Sequence, residues 1–360
     1  MSPPTAGLPL RPELVGVEPY GAPQLDVAVR LNVNENPYPP NETVVDAVAR
    51  AVVEATGGLN RYPDREAWAL RCALAGYLGH GLAAEQVWAA NGSNEVMLQV
   101  LQAFGGPGRT ALSFDPTYSM YPEYARHTHT RWVAGDRAAD FTVDPAQATA
   151  LIKAIEPSVV LLASPNNPTG TALPLDTIRA VLATAPGVVV VDEAYAEFRR
   201  AGTPTALELL AEHPQLLVTR TMSKAFAAAG VRLGYVAAAT EVVDALRVVR
   251  LPYHLSALTQ AVATALLGQA PALLAQVDAL RDERDRLAAW LQTRGLQVAD
   301  SDANFVLFGC FTDRHRVWQG LLDRGVLIRE TGPSGWLRVS IGTPAETAAF
   351  THALTEVLDR

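Results

Sequence analysis

The chain has 360 residues, of which 49% are hydrophobic and 18% are charged. This length exceeds the usual range of one domain, about 100–200 residues, and the composition excludes an intrinsically disordered chain. The net charge of −8 argues against a nucleic-acid-binding protein, because phosphate backbones select basic surfaces.

The two cysteines, Cys72 and Cys310, lack the spacing of metal ligands or of a disulfide framework, and they fit a reducing compartment. Residues 1–10 lack the basic start and apolar core of a signal peptide. The uncharged run 251–277 contains two prolines and several amides, which favours a buried helix over a membrane span. We therefore expect a cytoplasmic protein without a membrane segment.

Helices and strands are predicted to alternate after a proline-punctuated arm. Valines at helical spacing predict a helix over residues 41–55, and a second helix is predicted over 65–78. Short apolar runs follow at 87–90, 110–114, 159–162, 188–191 and 216–219. Because these runs are continuous rather than alternating, they predict strands covered on both faces, in a mostly parallel sheet of an α/β fold.

The last third of the chain predicts a smaller α+β unit. A long amphipathic helix over 273–291 is expected to link two lobes, with the charged run 281–286 on a solvated face. Strands are predicted over 304–308, 326–328 and 337–340, with a final helix from about residue 345. The expected division is an N-terminal arm (1–40), a large domain (41–270) and a C-terminal domain (271–360) that takes part of the arm.

Polar residues follow the predicted strands at the edge where parallel sheets bind ligands. Residues 92–94, Gly-Ser-Asn, open a helix whose free N–H groups favour an anion. Ser223 precedes Lys224, and Arg232 follows shortly after. Taken alone, these pieces also fit an ordinary helix cap and a surface lysine.

Together the same pieces meet the requirements of pyridoxal 5′-phosphate (PLP). A lysine can form a Schiff base with the cofactor aldehyde, while a hydroxyl and a guanidinium bind the phosphate. Asp192 ends a run of four valines, where an unpaired charge is costly, and a protonated pyridine nitrogen would compensate it. An aspartate that caps a helix or pairs with an arginine is the open alternative.

Four motifs in this order resemble those of the fold type I PLP-dependent aminotransferases: Ser-Pro-Asn-Asn-Pro-Thr-Gly at 164–170, Val-Asp-Glu-Ala-Tyr at 191–195, Ser-Lys-Ala-Phe at 223–226 and Arg-Leu-Gly-Tyr at 232–235. More narrowly, the segments at 31–37, 60–63, 116–121 and 337–343 resemble the histidinol-phosphate aminotransferase family. The match extends across residues 30–345.

This resemblance implies a large α/β/α domain with a mostly parallel mixed sheet, PLP as cofactor, and homodimers that share residues across the interface. It makes Lys224, Asp192 and Tyr195 the catalytic residues. The residues that it assigns to the cofactor are Ser93, Asn94, Tyr118, Asn167, Asp192, Tyr195, Ser223, Lys224, Arg232 and Tyr62, the last reaching the neighbouring subunit's cofactor phosphate. It places Tyr20 at the substrate, and the further candidate substrate-binding residues are Asn34, Arg329 and Arg338.

The sequence departs from many relatives at Ser93-Asn94, and the arginines of the substrate end have more than one interpretation. Many relatives carry Ala-Asp in place of Ser93-Asn94, which leaves the backbone donors unchanged but removes an acidic side chain. Arg338 and Arg329 are guanidinium forks suited to carboxylate or phosphate, although Arg329 also fits a surface arginine after a strand.

The implied reaction exchanges an amino group between L-histidinol phosphate and 2-oxoglutarate in histidine biosynthesis. Alternatives are an aromatic amino acid aminotransferase of the same subfamily, a threonine-phosphate decarboxylase, and a PLP-binding regulatory module without turnover. The last of these lacks support, because no basic helix-turn-helix pattern lies before residue 30.

Overall fold

The computed structural model describes residues 8–359. These residues form eleven α-helices: α1 (Glu42–Thr56), α2 (Trp68–Leu78), α3 (Ser93–Phe104), α4 (Tyr121–His127), α5 (Pro145–Ile155), α6 (Leu175–Thr184), α7 (Thr240–Val249), α8 (Ala257–Gly268), α9 (Ala270–Thr293), α10 (Arg314–Leu322) and α11 (Pro344–Leu358). They also form twelve strands: β1 (Val29–Arg30), β2 (Val87–Ala90), β3 (Thr110–Asp115), β4 (Arg131–Asp136), β5 (Val159–Ala163), β6 (Val188–Asp192), β7 (Leu216–Thr221), β8 (Gly234–Ala238), β9 (Gln297–Val298), β10 (Phe305–Gly309), β11 (Val326–Leu327) and β12 (Trp336–Ser340). Short 3₁₀ helices lie at Pro12–Leu14, Ala84–Gln86, Ala196–Phe198, Ala206–Leu209 and Ala229–Val231.

A seven-stranded mixed sheet forms the centre of the fold, in the order β2-β8-β7-β6-β5-β3-β4. β8 is antiparallel to both of its neighbours, and the remaining pairs are parallel. All five predicted strands are confirmed. The sequence did not predict β4 or β8, because the polar β4 and the small-residue β8 lack a continuous run of large apolar side chains.

Both faces of the sheet are covered, as the continuous apolar runs predicted. Along β6, Val189 and Val191 pack into one hydrophobic cluster, whereas Val188 and Val190 pack into the cluster on the opposite face. Full burial of each valine contributes roughly 1.5–3 kcal/mol. The sheet is therefore the middle layer of an α/β/α sandwich, which confirms the predicted fold class.

A smaller layer follows α9 in the chain. β12, β10 and β9 form an antiparallel sheet in that order. β1 of the N-terminal arm pairs in parallel with β11, with Val29 opposite Val326. The arm therefore joins the C-terminal part of the chain through backbone hydrogen bonds.

Two helices differ from their predicted description. α2 begins at Trp68 rather than at residue 65, because the Asp64 carboxylate accepts from the backbone N–H groups of Glu66 and Trp68 and holds a turn there. In α9, the expectation that the charged run is solvated is wrong for Glu283 and Arg284, which are both buried.

The reason lies in the partners of Arg284, whose side chain is 1% exposed. Its Nη1 donates to the carbonyl oxygens of Phe198, at 2.8 Å, and Ala303, at 3.2 Å. A buried guanidinium is tolerated where it satisfies main-chain carbonyls that would otherwise lack donors.

The uncharged run at 251–277 forms a loop, α8 and the start of α9. Within residues 8–359 no single helix is long and apolar enough to cross a membrane. By length and composition alone, α8 and α9 would pass as a pair, although they are bent by 71°.

Candidate active site

A cavity of about 270 Å³ opens at the carboxyl ends of β5, β6 and β7, where Ala163, Asp192 and Thr221 line it. Every predicted site residue except Tyr62 lines this cavity. The residues brought together are Tyr20, Asn34, Ser93, Asn94, Tyr118, Asn167, Asp192, Tyr195, Ser223, Lys224, Arg232, Arg329 and Arg338. The sheet topology thus collects side chains from distant parts of the sequence at one edge, as expected for parallel strands.

The charges of the cavity oppose those of the whole chain. Its basic lining residues are Lys224, Arg232, Arg329 and Arg338, and Asp192 is its one acidic lining residue. The chain itself has a net charge of −8. A cationic cavity in an anionic protein concentrates small anions at that site.

One end of the cavity is built to bind an anion. The N-terminus of α3 begins directly after Gly92, and Arg232 Nη1 lies 3.4 Å from Ser223 Oγ. Gly92 has a φ of +84°, and a Cβ there would lie 2.6 Å from Arg232 Nη2. Free N–H groups, a hydroxyl and a guanidinium around a side-chain-free turn form a cradle for a phosphate.

The strand β8 fixes this turn against the sheet. A Cβ on Gly234 would lie 2.0 Å from the backbone nitrogen of Ser93, so only glycine allows the close approach. Arg232, two residues earlier, itself has a left-handed φ of +56°. Arg232 therefore supplies the guanidinium of the cradle, and Gly234 supplies the backbone contact that holds it.

Asn94 points to the aromatic side chains of the site. Its Oδ1 accepts from Tyr124 Oη at 2.8 Å and from Tyr118 Oη at 3.4 Å. Tyr118 is half-buried at the cavity wall, and its ring meets that of Tyr121 edge to face, with the centroids 5.6 Å apart. Asn94 thus anchors the tyrosine that the sequence predicted to stack over the cofactor.

Asp192 is buried at the end of β6. Its Oδ2 accepts from Tyr121 Oη at 3.0 Å, and its Oδ1 accepts from Thr219 Oγ1 and Ala194 N, both at 3.2 Å. Within residues 8–359 this carboxylate forms no ion pair, and the nearby Arg220 pairs with Glu193 instead, at 2.7 Å. Desolvation raises the pKa of Asp192 to about 6, and these hydrogen bonds oppose the rise.

Lys224 is half-buried and lines the same cavity as the cradle and Asp192. Its Nζ donates to the carbonyl oxygen of Val33 at 2.9 Å. Desolvation, together with the positive charge of Arg338, lowers the pKa of Lys224 to about 8. A substantial fraction of the amine is therefore neutral, and so nucleophilic, near pH 8.

Tyr195 is held by the arm. Asn34 Nδ2 donates to Tyr195 Oη at 3.0 Å, and Ser340 Oγ donates to Asn34 Oδ1 at 2.8 Å. Both polar atoms of the Asn34 amide are therefore used within the protein, although the residue lines the cavity. Asn34 also has a left-handed φ of +57°, which asparagine tolerates better than most residues.

Arg338 orients a second amide. Its Nη1 donates to Asn167 Oδ1, which leaves the Nδ2 of Asn167 as the donor available to a ligand. Arg338 Nη2 donates to the carbonyl of Asn32 at 2.9 Å, while its buried Nε has no hydrogen-bond partner among residues 8–359. A buried guanidinium with a free donor is suited to an anionic ligand group.

Two further predicted residues enclose the same end of the cavity. Arg329 exchanges backbone hydrogen bonds with Arg338, each of 2.9 Å, and its Nη2 donates to the carbonyl of Gly21. Tyr20 Oη accepts from Ser119 Oγ at 3.1 Å. The N-terminal arm therefore contributes to the cavity wall next to both arginines.

Tyr62 lies outside the cavity. Its side chain is 79% exposed, and its ring stacks on Tyr253 with the centroids 4.4 Å apart. Among residues 8–359, it is the one predicted site residue that does not line the cavity.

The cavity suits the cofactor predicted from the sequence. PLP carries an anionic phosphate, a pyridine nitrogen that is protonated beside an acid, and an aldehyde that reacts with an amine. The cradle fits the phosphate, the carboxylate of Asp192 lacks a cation, and Lys224 supplies the amine. The donor set thus matches all three chemical groups of the cofactor.

Sequence reasoning missed three residues that orient this site: Tyr121, Thr219 and Ser340. Their hydrogen bonds to Asp192 and Asn34 connect positions far apart in the sequence. The tyrosines at 118, 121 and 124 recur every three residues, which could have marked one face of a helix as functional.

Comparisons with known proteins agree with this geometry. Residues 27–354 match the family model described as aminotransferase class I and II. The histidinol-phosphate aminotransferase of Thermobifida fusca is 65% identical to the chain over 353 residues, covering 98% of this chain and 96% of that protein. The histidinol-phosphate aminotransferase 3 of Burkholderia lata is 61% identical over 355 residues, again covering 98% and 96%.

A solved structure shares the fold. The crystal structure of histidinol-phosphate aminotransferase from Sinorhizobium meliloti, in complex with pyridoxal-5′-phosphate, superposes with a TM-score of 0.84 at 26% identity. The match covers 92% of this chain and 91% of that one.

Proposed function

The chain belongs to the class I and II aminotransferase family and, within it, to the histidinol-phosphate aminotransferases, and from this we propose that it transfers an amino group between L-histidinol phosphate and 2-oxoglutarate. It is a PLP-dependent aminotransferase. The observation that carries the proposal is the cavity in which Lys224 lies with an anion cradle and with Asp192, a buried acid without a cationic partner. The names of its close relatives favour this reaction over an aromatic amino acid aminotransferase, a decarboxylase or a regulatory module.

The proposed roles of the cofactor-binding residues follow from their contacts. Ser223, Arg232 and the N–H groups at Ser93 bind the phosphate. Asp192 accepts a hydrogen bond from the protonated ring nitrogen and keeps that proton in place. The Nδ2 of Asn167 and the Oη of Tyr195 contact the ring hydroxyl group.

Bound PLP supplies an aldehyde that takes up the substrate amino group and a ring that delocalises the electron pair released at the substrate carbon. Lys224 moves the proton to and from that carbon, because its lowered pKa of about 8 lets the amine act as a base near neutral pH. Tyr118 packs on the ring and limits the access of water.

We propose that the substrate end of the site prefers anionic groups. Arg338, with its free Nε, and Arg329 bind the phosphate of one substrate and a carboxylate of the other in turn. Tyr20 covers this end from the arm. Asn34 holds Tyr195 through one of the two hydrogens of its Nδ2, and the second is a donor for the substrate.

We propose that the working enzyme is a homodimer and that Tyr62 contacts the partner's cofactor phosphate. Tyr62 belongs to a surface of exposed apolar side chains on the 59–68 and 248–253 segments, which the Tyr62–Tyr253 stack and an ion pair of 2.8 Å between Arg250 and Glu66 hold together. The exposed members of this surface are Leu59, Tyr62, Trp68, Val248, Leu251 and Tyr253. Contiguous exposed apolar surface of this kind is typical of protein interfaces.

The predicted division of the chain and its location are also proposals. The 41–270 segment holds the large sheet, and the pairing of β1 with β11 supports assigning part of the arm to the C-terminal domain. Cys72 and Cys310 are both free thiols, which fits a reducing cytoplasm.

A panel of amino donors tests the proposed substrate. The purified enzyme is given 2-oxoglutarate with histidinol phosphate, phenylalanine, tyrosine or threonine phosphate, and glutamate and carbon dioxide are measured. We expect kcat/KM for histidinol phosphate to exceed that for the aromatic amino acids by about 10- to 100-fold, the contribution of charge-assisted hydrogen bonds to the phosphate. Lys224→Ala is the control without turnover. Equal turnover of phenylalanine, or release of carbon dioxide from threonine phosphate, would contradict the proposal.

A further inference from the structure

Tyr121 begins α4, and its side chain is fully buried. Its Oη donates to Asp192 Oδ2 at 3.0 Å. The neighbouring tyrosines of the same segment, Tyr118 and Tyr124, direct their hydroxyl groups to Asn94 instead. Tyr121 is thus the tyrosine of this segment whose hydroxyl group reaches the buried acid.

The two oxygens of the Asp192 carboxylate have different partners. Oδ1 accepts from Thr219 and from the backbone of Ala194, whereas Oδ2 accepts from Tyr121. Donors from β7, from the loop after β6 and from α4 act on the two oxygens and fix the rotation of the carboxylate. Because a phenol hydroxyl that donates stabilises the ionised acid, Tyr121 acts on charge as well as on orientation.

We propose that Tyr121 is a positioning residue that holds the Asp192 carboxylate ionised and in one orientation, ready for the protonated ring nitrogen of the cofactor. The inference rests on the proposed function, since it concerns the same cofactor site. It assigns to the hydroxyl group of Tyr121 a measurable effect on the pH at which the cofactor binds.

The surroundings of Asp192 make it the group whose ionisation controls how cofactor binding depends on pH. Desolvation raises its pKa to about 6, while the bonds from Tyr121 and Thr219 lower it and the charge of Glu193 raises it. Glu193 is itself paired with Arg220 at 2.7 Å. Among residues 8–359, the phenols of Tyr118, Tyr124 and Tyr195 also interact with Asp192, and burial raises the pKa of each. These phenols remain neutral between pH 5 and pH 9. Lys224 lines the same cavity with a pKa of about 8, so it titrates within the tested range in the variant and in the unmodified protein alike.

The pH midpoint of cofactor binding depends on the ionisation of Asp192. An acid accepts the ring N–H bond only when it is ionised, so cofactor affinity is present above the pKa of Asp192 and is lost as pH falls through it. Removing the Tyr121 donor raises that pKa further. The acid-side midpoint of binding therefore moves to higher pH in Tyr121→Phe.

The test measures the dissociation constant of 4-deoxypyridoxine 5′-phosphate from the cofactor-free chain between pH 5 and pH 9. This probe has the ring nitrogen and the phosphate but no aldehyde, so Lys224 cannot react with it. We expect the midpoint of Tyr121→Phe to lie about one pH unit above that of the unmodified protein, roughly a tenfold change in proton affinity. The affinities should converge at pH 9.

Tyr235→Phe is the matched control, because it also removes one buried phenol hydroxyl, and that hydroxyl has no hydrogen-bond partner in the described part of the chain. Its midpoint should equal that of the unmodified protein. In an Asp192→Asn background, Tyr121→Phe should no longer move the midpoint. Site-specific 3-fluorotyrosine at position 121 preserves the packing and is a stronger donor, so it should move the midpoint to lower pH even if Tyr121→Phe does not fold.

An unchanged midpoint in Tyr121→Phe, or an equal loss of affinity at every pH, would overturn the inference, because a purely structural role predicts the second pattern. Persistence of the shift in the Asp192→Asn background would also overturn it. If the unmodified protein does not bind the probe at any pH, the proposed function fails and the inference fails with it. Binding with no difference between the two proteins leaves the proposed function intact and removes the role of Tyr121 alone.

Discussion

Lys153 and Lys224 are the two lysines of this chain, among 29 lysine and arginine residues. Lys153 is exposed on α5, whereas Lys224 is half-buried at the cavity. Desolvation and the charge of Arg338 lower the pKa of Lys224 from an ordinary 10.5 to about 8. A lysine in this state is reactive at a pH where an ordinary lysine is almost wholly protonated.

We predict that trinitrobenzenesulfonate labels Lys224 in the cofactor-free chain with a half-maximal rate near pH 8, because the reagent attacks only the neutral amine. The two lysines are resolved by peptide mass mapping across pH 6 to 11. The Lys153 peptide of the same digest is the internal reference for exposure and reagent decay. A half-maximal rate at Lys224 near pH 10.5 would show that its surroundings do not favour the neutral amine.

Helix α9 contains a charged run whose members have different functions in the fold. Arg284 donates to the carbonyls of Phe198 and Ala303 and so ties α9 to the segments on both sides of it. Arg286, two residues on, is exposed and pairs with Glu283. Sequence spacing does not separate the two arginines, but their partners do.

Replacing Arg284 by methionine is expected to lower the free energy of unfolding by about 2–4 kcal/mol, because two buried carbonyls lose their donor. Urea unfolding followed by circular dichroism measures the change. Arg179→Met on α6, which removes an exposed ion pair with Asp176, is the control and should alter stability little, since exposed ion pairs contribute little. Similar losses in both variants would mean that Arg284 does not hold the junction.

Several elements were predictable from local sequence, and others were not. The valines of β6 and the helically spaced valines of α1 are local signals, and both elements appear within about a residue of their predicted positions. The path of β8 between β2 and β7 is set by pairing with strands distant in sequence, which composition does not encode. The same holds for the site. Lys224 and Asp192 stand in recognisable motifs, whereas the hydrogen bond from Tyr121 to Asp192 forms only when the chain folds.

In the proposed homodimer, each active site contains residues of both subunits. We expect Lys224→Ala and Tyr62→Ala homodimers each to have low activity, while mixed dimers regain one intact site. That site has Lys224 from one subunit and Tyr62 from the other. Random mixing should restore about a quarter of the unmodified activity, as half of the dimers are hybrids with one working site each.

Aminotransferase assays before and after joint unfolding and refolding of the two variants measure this complementation. Each variant refolded alone is the control. Activity that stays at the level of the separate variants would mean that Tyr62 serves its own subunit or that the enzyme works as a monomer.

The placement of β2 at the edge of the sheet, with β8 as its sole partner there, affects how the enzyme is made. During synthesis β2 and the start of α3 leave the ribosome long before β8, so half of the phosphate cradle has no strand to dock on. Gly234 must emerge before it can pack against the turn at Ser93 and fix the conformation of that turn. A growing chain therefore acquires its capacity to retain vitamin B6 late, after about two thirds of its length has been translated.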